Sequence, residues 1–199
     1  QANHVLHSLL AWGSGAALGV DEVTVRLPSF LAGLGTVLAV AWLAMTALGR
    51  DANGVRLAVT AAFITALLPI AVLPATEARG YSLMTLFSAL MTAAFLRALR
   101  RQTGTAWLIY AAACALGIWA HLVTVCVPAF HAAWCVAVLM RGAPSTASGI
   151  PPKAARAGLM AIGVAALLTL LVYAPILPAM FAIRSEFRAL DGNEPPLIG

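Results

Sequence analysis

Long apolar runs, interrupted at short intervals by charged, glycine and proline residues, set the pattern of this chain. Reading runs and breakers gives six segments, about 25–49, 54–75, 81–98, 105–120, 122–140 and 157–176. A stretch of ~20 apolar residues, at ~1.5 Å rise per residue, matches the ~30 Å hydrocarbon core of a bilayer. Most connections are short. The exception is RGAPSTASGIPPKAAR (141–156), whose Gly, Pro and Ser content marks a loop. The pattern predicts an all-α fold, a polytopic transmembrane helical bundle of about six spans, the fourth being the shortest. In the first, RLPSFLAGL places Pro28 where a first helical turn accepts it.

Ahead of the first span, NHVLHSLLAWGSGAALG sets Leu6, Leu9, Leu10, Gly13, Ala16 and Ala17 at helical spacing. His4, His7, Ser8, Ser14 and Gly15 fall on the other face. A helix too short to span, with one apolar and one weakly polar face, suits the membrane interface. Residues 1–24 are read this way, with His4 and His7 turned towards water or a cavity; the alternative is the end of a transmembrane helix. Residues 177–199 are read as the start of a loop on the same side, which makes 1–199 one partial transmembrane domain. The chain opens on Gln1 and ends on DGNEPPLIG, and is read as a piece of a longer protein.

Composition sharpens this picture. The chain is 62% hydrophobic and 10% charged, against roughly 25% charged in an ordinary soluble domain. Its charges sort by side. One set of loops holds Arg50, Arg56, Arg97, Arg100, Arg101, Arg141, Lys153 and Arg156 against the single acid Asp51. The other set holds Arg26, Arg79, Arg184 and Arg188 against six acids, Asp21, Glu22, Glu77, Glu186, Asp191 and Glu194. Short Lys/Arg-rich loops stay cytoplasmic, so the first set is expected inside. The pI near 9.7 then reflects topology, and with no basic–aromatic interleaving no nucleic-acid partner is expected. Cys114, Cys126 and Cys135 lie within apolar runs and read as small buried hydrophobes.

The candidate chemistry gathers on the second side. Asn3, His4 and His7 open the chain, Asp21 and Glu22 follow, and TEARGYSL brings Glu77, Arg79 and Tyr81 between two apolar spans. His121 stands at the turn between the fourth and fifth spans. Glu77 and Arg79 have a bland reading as a pair that neutralises itself at a helix boundary. Three features favour chemistry: Gly80 permits close backbone approach or a positive φ, the Arg fork suits a phosphate, and the next helix opens with amides that favour an anion. His121 either bonds a backbone carbonyl or contacts a phosphate or proton. His131 reads as a satisfied interior histidine, Arg26 as an interfacial anchor or a partner of Asp21 or Glu22, and Trp42, Trp107, Trp119 and Trp134 as membrane aromatics. No metal-ligand cluster has convincing spacing and no cofactor is identified, although His4 and His7 are one helical turn apart.

NHVLHSLL, RLPSFLAGL, EARGYSL and WAHLVTV, in this order, resemble bacterial multi-spanning glycosyltransferases of the GT-C class. The likeness is to the protein O-mannosyltransferase-like family and its aminoarabinose transferase relatives, over most of residues 3–140. The resemblance implies an inverting enzyme of the bacterial plasma membrane. It would move a sugar from a polyprenyl-phosphate donor to a protein, lipid or glycan acceptor at the outer face. By the same resemblance Asn3 and His4 match the end of the catalytic loop, Glu77, Arg79 and Tyr81 the second external loop, and His121 the third. The general base of such enzymes is an acid just before the NH segment, which falls upstream of Gln1. The competing classes are a transporter or lipid flippase, whose sites lie nearer the midplane, and a non-catalytic membrane subunit.

Overall fold

The computed structural model describes residues 5–77, 79–141 and 150–174. Among these the chain forms α1 (Val5–Leu18), α2 (Glu22–Leu48), α3 (Ala52–Leu67), α4 (Pro69–Thr76), α5 (Tyr81–Arg101), α6 (Gly104–Ala120), α7 (Cys126–Met140) and α8 (Pro152–Tyr173). A single 3-10 turn, Leu122–Val125, leads into α7, and no strand occurs among the described residues. The helices α2, α5, α8 and the turn with α7 are each long and apolar enough to cross a membrane; α3 and α4 together make a bent fifth span. With the shorter apolar helix α6, every predicted segment has its helix, and the protein is an integral membrane protein. The last helix starts earlier than expected: it takes Lys153 and Arg156 out of the predicted loop into its first turns.

Two prolines correct the predicted spans. The run 54–75 is not one straight helix, because α3 and α4 meet at 56°. Pro69 has no N–H to continue the ladder and disfavours helical backbone in the residue before it. Leu68 accordingly sits at φ −70°, ψ 123°. Pro28, by contrast, is not a first-turn residue but lies inside α2, which begins at Glu22. Its missing N–H leaves the Thr24 carbonyl without a helical donor. The Ser14 hydroxyl of α1 donates to that carbonyl at 2.7 Å. The helix break that proline threatens is thus turned into a docking point for α1.

That docking decides which way α1 faces. Gly19, at φ 94°, turns the chain back, so that Ser14 meets Thr24 while His7, further along, meets Ser29 of α2. The two helices therefore lie antiparallel. The weakly polar face carrying His7, Ser14 and Gly15 is directed at the bundle, while Leu9, Leu10 and Trp12 are exposed. His7 is buried, so of its two expected surroundings, water or a cavity, water is ruled out. In lipid the usual logic inverts, since a polar side chain finds partners only in protein.

The core is centred on α5. It runs in the same direction as α2, with the Thr36 and Thr85 hydroxyls 3.5 Å apart and the Arg100 guanidinium donating to the Ala47 carbonyl at the arginine-rich end. Its other side meets α6, α7 and α8 through Met91, Ala94, Phe95 and Ala98. Small residues bring these helices close, as is usual where lipid offers no hydrophobic drive. Between them lies an aromatic cluster. His131 stacks on Phe95 with ring centroids 4.2 Å apart, and Tyr110 Oη lies 3.0 Å from His131 Nδ1. Trp107 and Trp134 meet the edges of Phe95. His131 is a satisfied interior histidine, as expected. A Tyr110→Phe variant should lower stability in a denaturation series in mixed micelles by about 0.5–1 kcal/mol, the worth of one interhelical hydrogen bond in lipid. Of the cysteines, Cys114 and Cys135 are buried, but Cys126 is exposed at the start of α7, contrary to the sequence reading.

Candidate functional site

The segment Glu77–Gly80 joins α4 to α5, and its backbone is held from three directions. First, the end of α4 is pressed against α2 at Gly33, where a side chain's Cβ would lie 2.5 Å from that of Ala75. Second, the Ser82 hydroxyl at the start of α5 donates to the Pro74 carbonyl at 2.9 Å, closing the loop on itself. Pro74 belongs to the last turn of α4, whose carbonyls lack helical donors. Third, the Ser29 hydroxyl donates to the Arg79 carbonyl at 2.9 Å. While the Arg79 backbone is fixed, its side chain is 65% exposed, with Nε 3.9 Å from the carboxylate of Glu77. Gly80 is buried at φ −72°, so the positive φ that its sequence position allowed is not used.

His121 and Tyr81 come together, with ring centroids 5.4 Å apart. His121 caps the 3-10 turn: the Val123 amide donates to its Nδ1 at 3.2 Å, and the Thr124 hydroxyl donates to its carbonyl. With Nδ1 accepting, the proton of the neutral ring sits on Nε2, which is therefore a donor. Glu77 with Arg79 and Tyr81 with His121 thus form two polar contacts at a single end of the bundle. Asn3 and His4 lie outside the described residues. His7, weighed only as a surface or cavity residue, is instead tied to the loop through Ser29, with Nε2 and Oγ 3.0 Å apart. Ser29 was missed altogether; the signal available was a hydroxyl and a histidine at membrane depth, where polar groups seek each other.

The acids near α2 have other work. Asp21 caps that helix, accepting the Thr24 amide at 2.8 Å while the Thr24 hydroxyl accepts the Asp21 amide, a reciprocal capping box. The bond from the Thr24 amide holds the Asp21 carboxyl below its ordinary value of 3.8. A depressed carboxylate stabilises the fold above its unfolded value and ceases to do so as pH falls through the folded one. The stability gap between the parent and Asp21→Ala, read by thermal unfolding, should therefore be constant at neutral pH and close below pH 3.8. Glu22 pairs with Arg26 one turn on, settling the partner of that arginine. No group of three metal-ligating side chains occurs among the described residues.

Two apolar clefts flank the loop. One, of about 170 Å³, lies between α2 and the bent pair α3–α4 and reaches Ala75 and Thr76. The other, of about 360 Å³, lies between α1, α2 and α5, lined by Leu10, Leu27, Leu31, Leu83 and Leu86.

Membrane-crossing helices, with an arginine-bearing loop and a histidine-capped turn at one end beside apolar clefts, define the class: a polytopic membrane protein with polar groups gathered at one end of its bundle. Residues 5–178 match the family model of the dolichyl-phosphate-mannose-protein mannosyltransferases, and the chain belongs to that family. It is a membrane glycosyltransferase of the mannosyltransferase-like kind, in agreement with the motif resemblance. Searches of curated proteins and of solved structures gave no significant match.

Proposed function

We propose that this protein transfers a sugar from a polyprenyl-phosphate donor to an acceptor hydroxyl at the outer face of a bacterial plasma membrane, with inversion at the anomeric carbon. The observation that carries this reading is Arg79: an exposed guanidinium on a fixed backbone, two residues ahead of the 21-residue helix α5. The N-cap of α5 is Gly80, which has no side chain to place over the first amides. A guanidinium beside the N-terminal amides of a helix suits a phosphate.

In the reaction the acceptor oxygen forms a bond to the anomeric carbon as the bond from that carbon to the phosphate oxygen breaks. The leaving polyprenyl phosphate gains a negative charge, and neutralising it is the main task of the site. Arg79 and the α5 amides meet that charge, and the Nε2–H of His121 adds a donor. Glu77 orients the guanidinium, Tyr81 supports the His121 ring, and Asn3 and His4 complete the polar rim. The acceptor proton passes to a carboxylate base outside the described residues. The apolar clefts beside the loop suit the first isoprene units. The arginine-rich end of the bundle favours the cytoplasmic side, which turns the site outwards. Reconstituted protein given radiolabelled polyprenyl-phosphate mannose should move label from the lipid to an added acceptor or to water. Intact donor after prolonged incubation, with lipid carried across the bilayer instead, would overturn the reading in favour of a flippase.

A further inference from the structure

We propose that His7 and Ser29 are positioning residues for sugar transfer: together they fix the backbone of Arg79, and so the place of its guanidinium. The proposal rests on the reading of Arg79 as the phosphate ligand.

Ser29 lies seven residues after the start of α2, roughly 10 Å along its axis. It is fully buried, at 0% exposure. Its hydroxyl has one proton, and the Arg79 carbonyl takes it at 2.9 Å. The 3.0 Å contact with His7 Nε2 must then run the other way, with the imidazole N–H donating to the serine oxygen. The result is a directed chain, His7 to Ser29 to Arg79, through residues 22 and 50 positions apart.

Helix packing alone does not call for this arrangement. The hydroxyl of Ser14 already pins α1 to α2 at the carbonyl freed by Pro28. The loop is already closed on itself by Ser82 and Pro74. What neither contact supplies is a tie between the loop's own backbone and the α1–α2 pair. The Ser29 hydroxyl supplies it at Arg79 itself, and His7 holds that hydroxyl in the rotamer that points there. A buried polar pair is costly to keep unless its bonds are made, and here the made bonds end on the residue that binds the leaving group.

The test compares the parent protein with Ser29→Ala, His7→Phe and His7→Gln, all reconstituted in liposomes. A glutamine amide nitrogen stands near the position of Nε2 and restores the donor. Amide hydrogen exchange over residues 79–83 should accelerate about tenfold in Ser29→Ala and His7→Phe, as expected for local opening after loss of one bond, while residues 88–98 are unchanged. With polyprenyl-phosphate mannose as donor, kcat should fall by up to about 100-fold with little change in KM, because displacement of a charge-stabilising group is felt at the transition state. His7→Gln should recover most of both. Exchange at the parent rate in Ser29→Ala overturns the proposal. So does a glutamine variant as impaired as the phenylalanine one, or a defect confined to KM. If the parent protein transfers no sugar, the phosphate reading of Arg79 fails, and the exchange data still decide whether the chain of bonds holds the loop.

Discussion

An Arg79→Ala variant should insert into membranes as the parent does and transfer sugar from a polyprenyl-phosphate donor about 10³-fold more slowly, the upper range for removing one preorganised charge-stabilising group. The separation of the two effects follows from the structure. The loop is tied through the Arg79 carbonyl, which alanine retains, whereas the guanidinium is exposed and has its ion pair with Glu77 of the same loop. Its loss therefore removes charge without loosening the backbone. Arg79→Lys should recover only part of the rate, since an ammonium supplies charge but not the planar fork. Glu77→Gln should cost less, because a contact of 3.9 Å between half-exposed groups is a weak restraint. Initial rates at saturating donor, beside a protease-protection check of insertion, measure all three. A rate for Arg79→Ala within a few-fold of the parent removes Arg79 from the chemistry.

Gly33→Ala should damage both stability and sugar transfer. The added methyl would lie 2.5 Å from Ala75 Cβ, closer than carbon atoms pack, so α4 has to withdraw from α2. Overpacking of this kind costs about 1–3 kcal/mol, and here the element displaced carries the loop. Transfer should therefore fall further than stability does. The second mutation Ala75→Gly removes the opposing methyl, leaving the nearest Ala75 atom at 3.7 Å, and should restore both thermal stability and rate. A double variant no better than Gly33→Ala would show that the contact between these helices is not what the glycine protects.

The spans were legible because bilayer thickness and hydropathy act on runs of residues, and a run survives ignorance of its neighbours. The contact of Glu77 with Arg79 was legible for the same reason, since the two are near neighbours in sequence, whereas the Asp21–Thr24 cap went unread although it closes within one turn. What else escaped depended on partners far along the chain. His7 and Ser29 are unremarkable apart, and nothing in either segment announces that they meet. The surroundings of His7 stayed open between water and a cavity because the two faces of α1 differ little, and beside lipid a polar group need not turn to water. The bend at Pro69 was visible as a residue but hidden within an apolar run that reads as continuous. Pro28 was seen as a beginning when its importance lies in the carbonyl it leaves open.

The bend at Pro69 also acts as a lever. Beyond the joint at Leu68, α4 is eight residues long, an arm of about 12 Å with the arginine loop at its tip. Turning that arm by only about 5° moves the tip by about 1 Å, a displacement large enough to cost catalysis heavily. Small changes at a distant point on α3, in the lipid-facing part of the molecule, are therefore magnified at the loop, and the contact of Ala75 with Gly33 serves as the stop against which the arm rests.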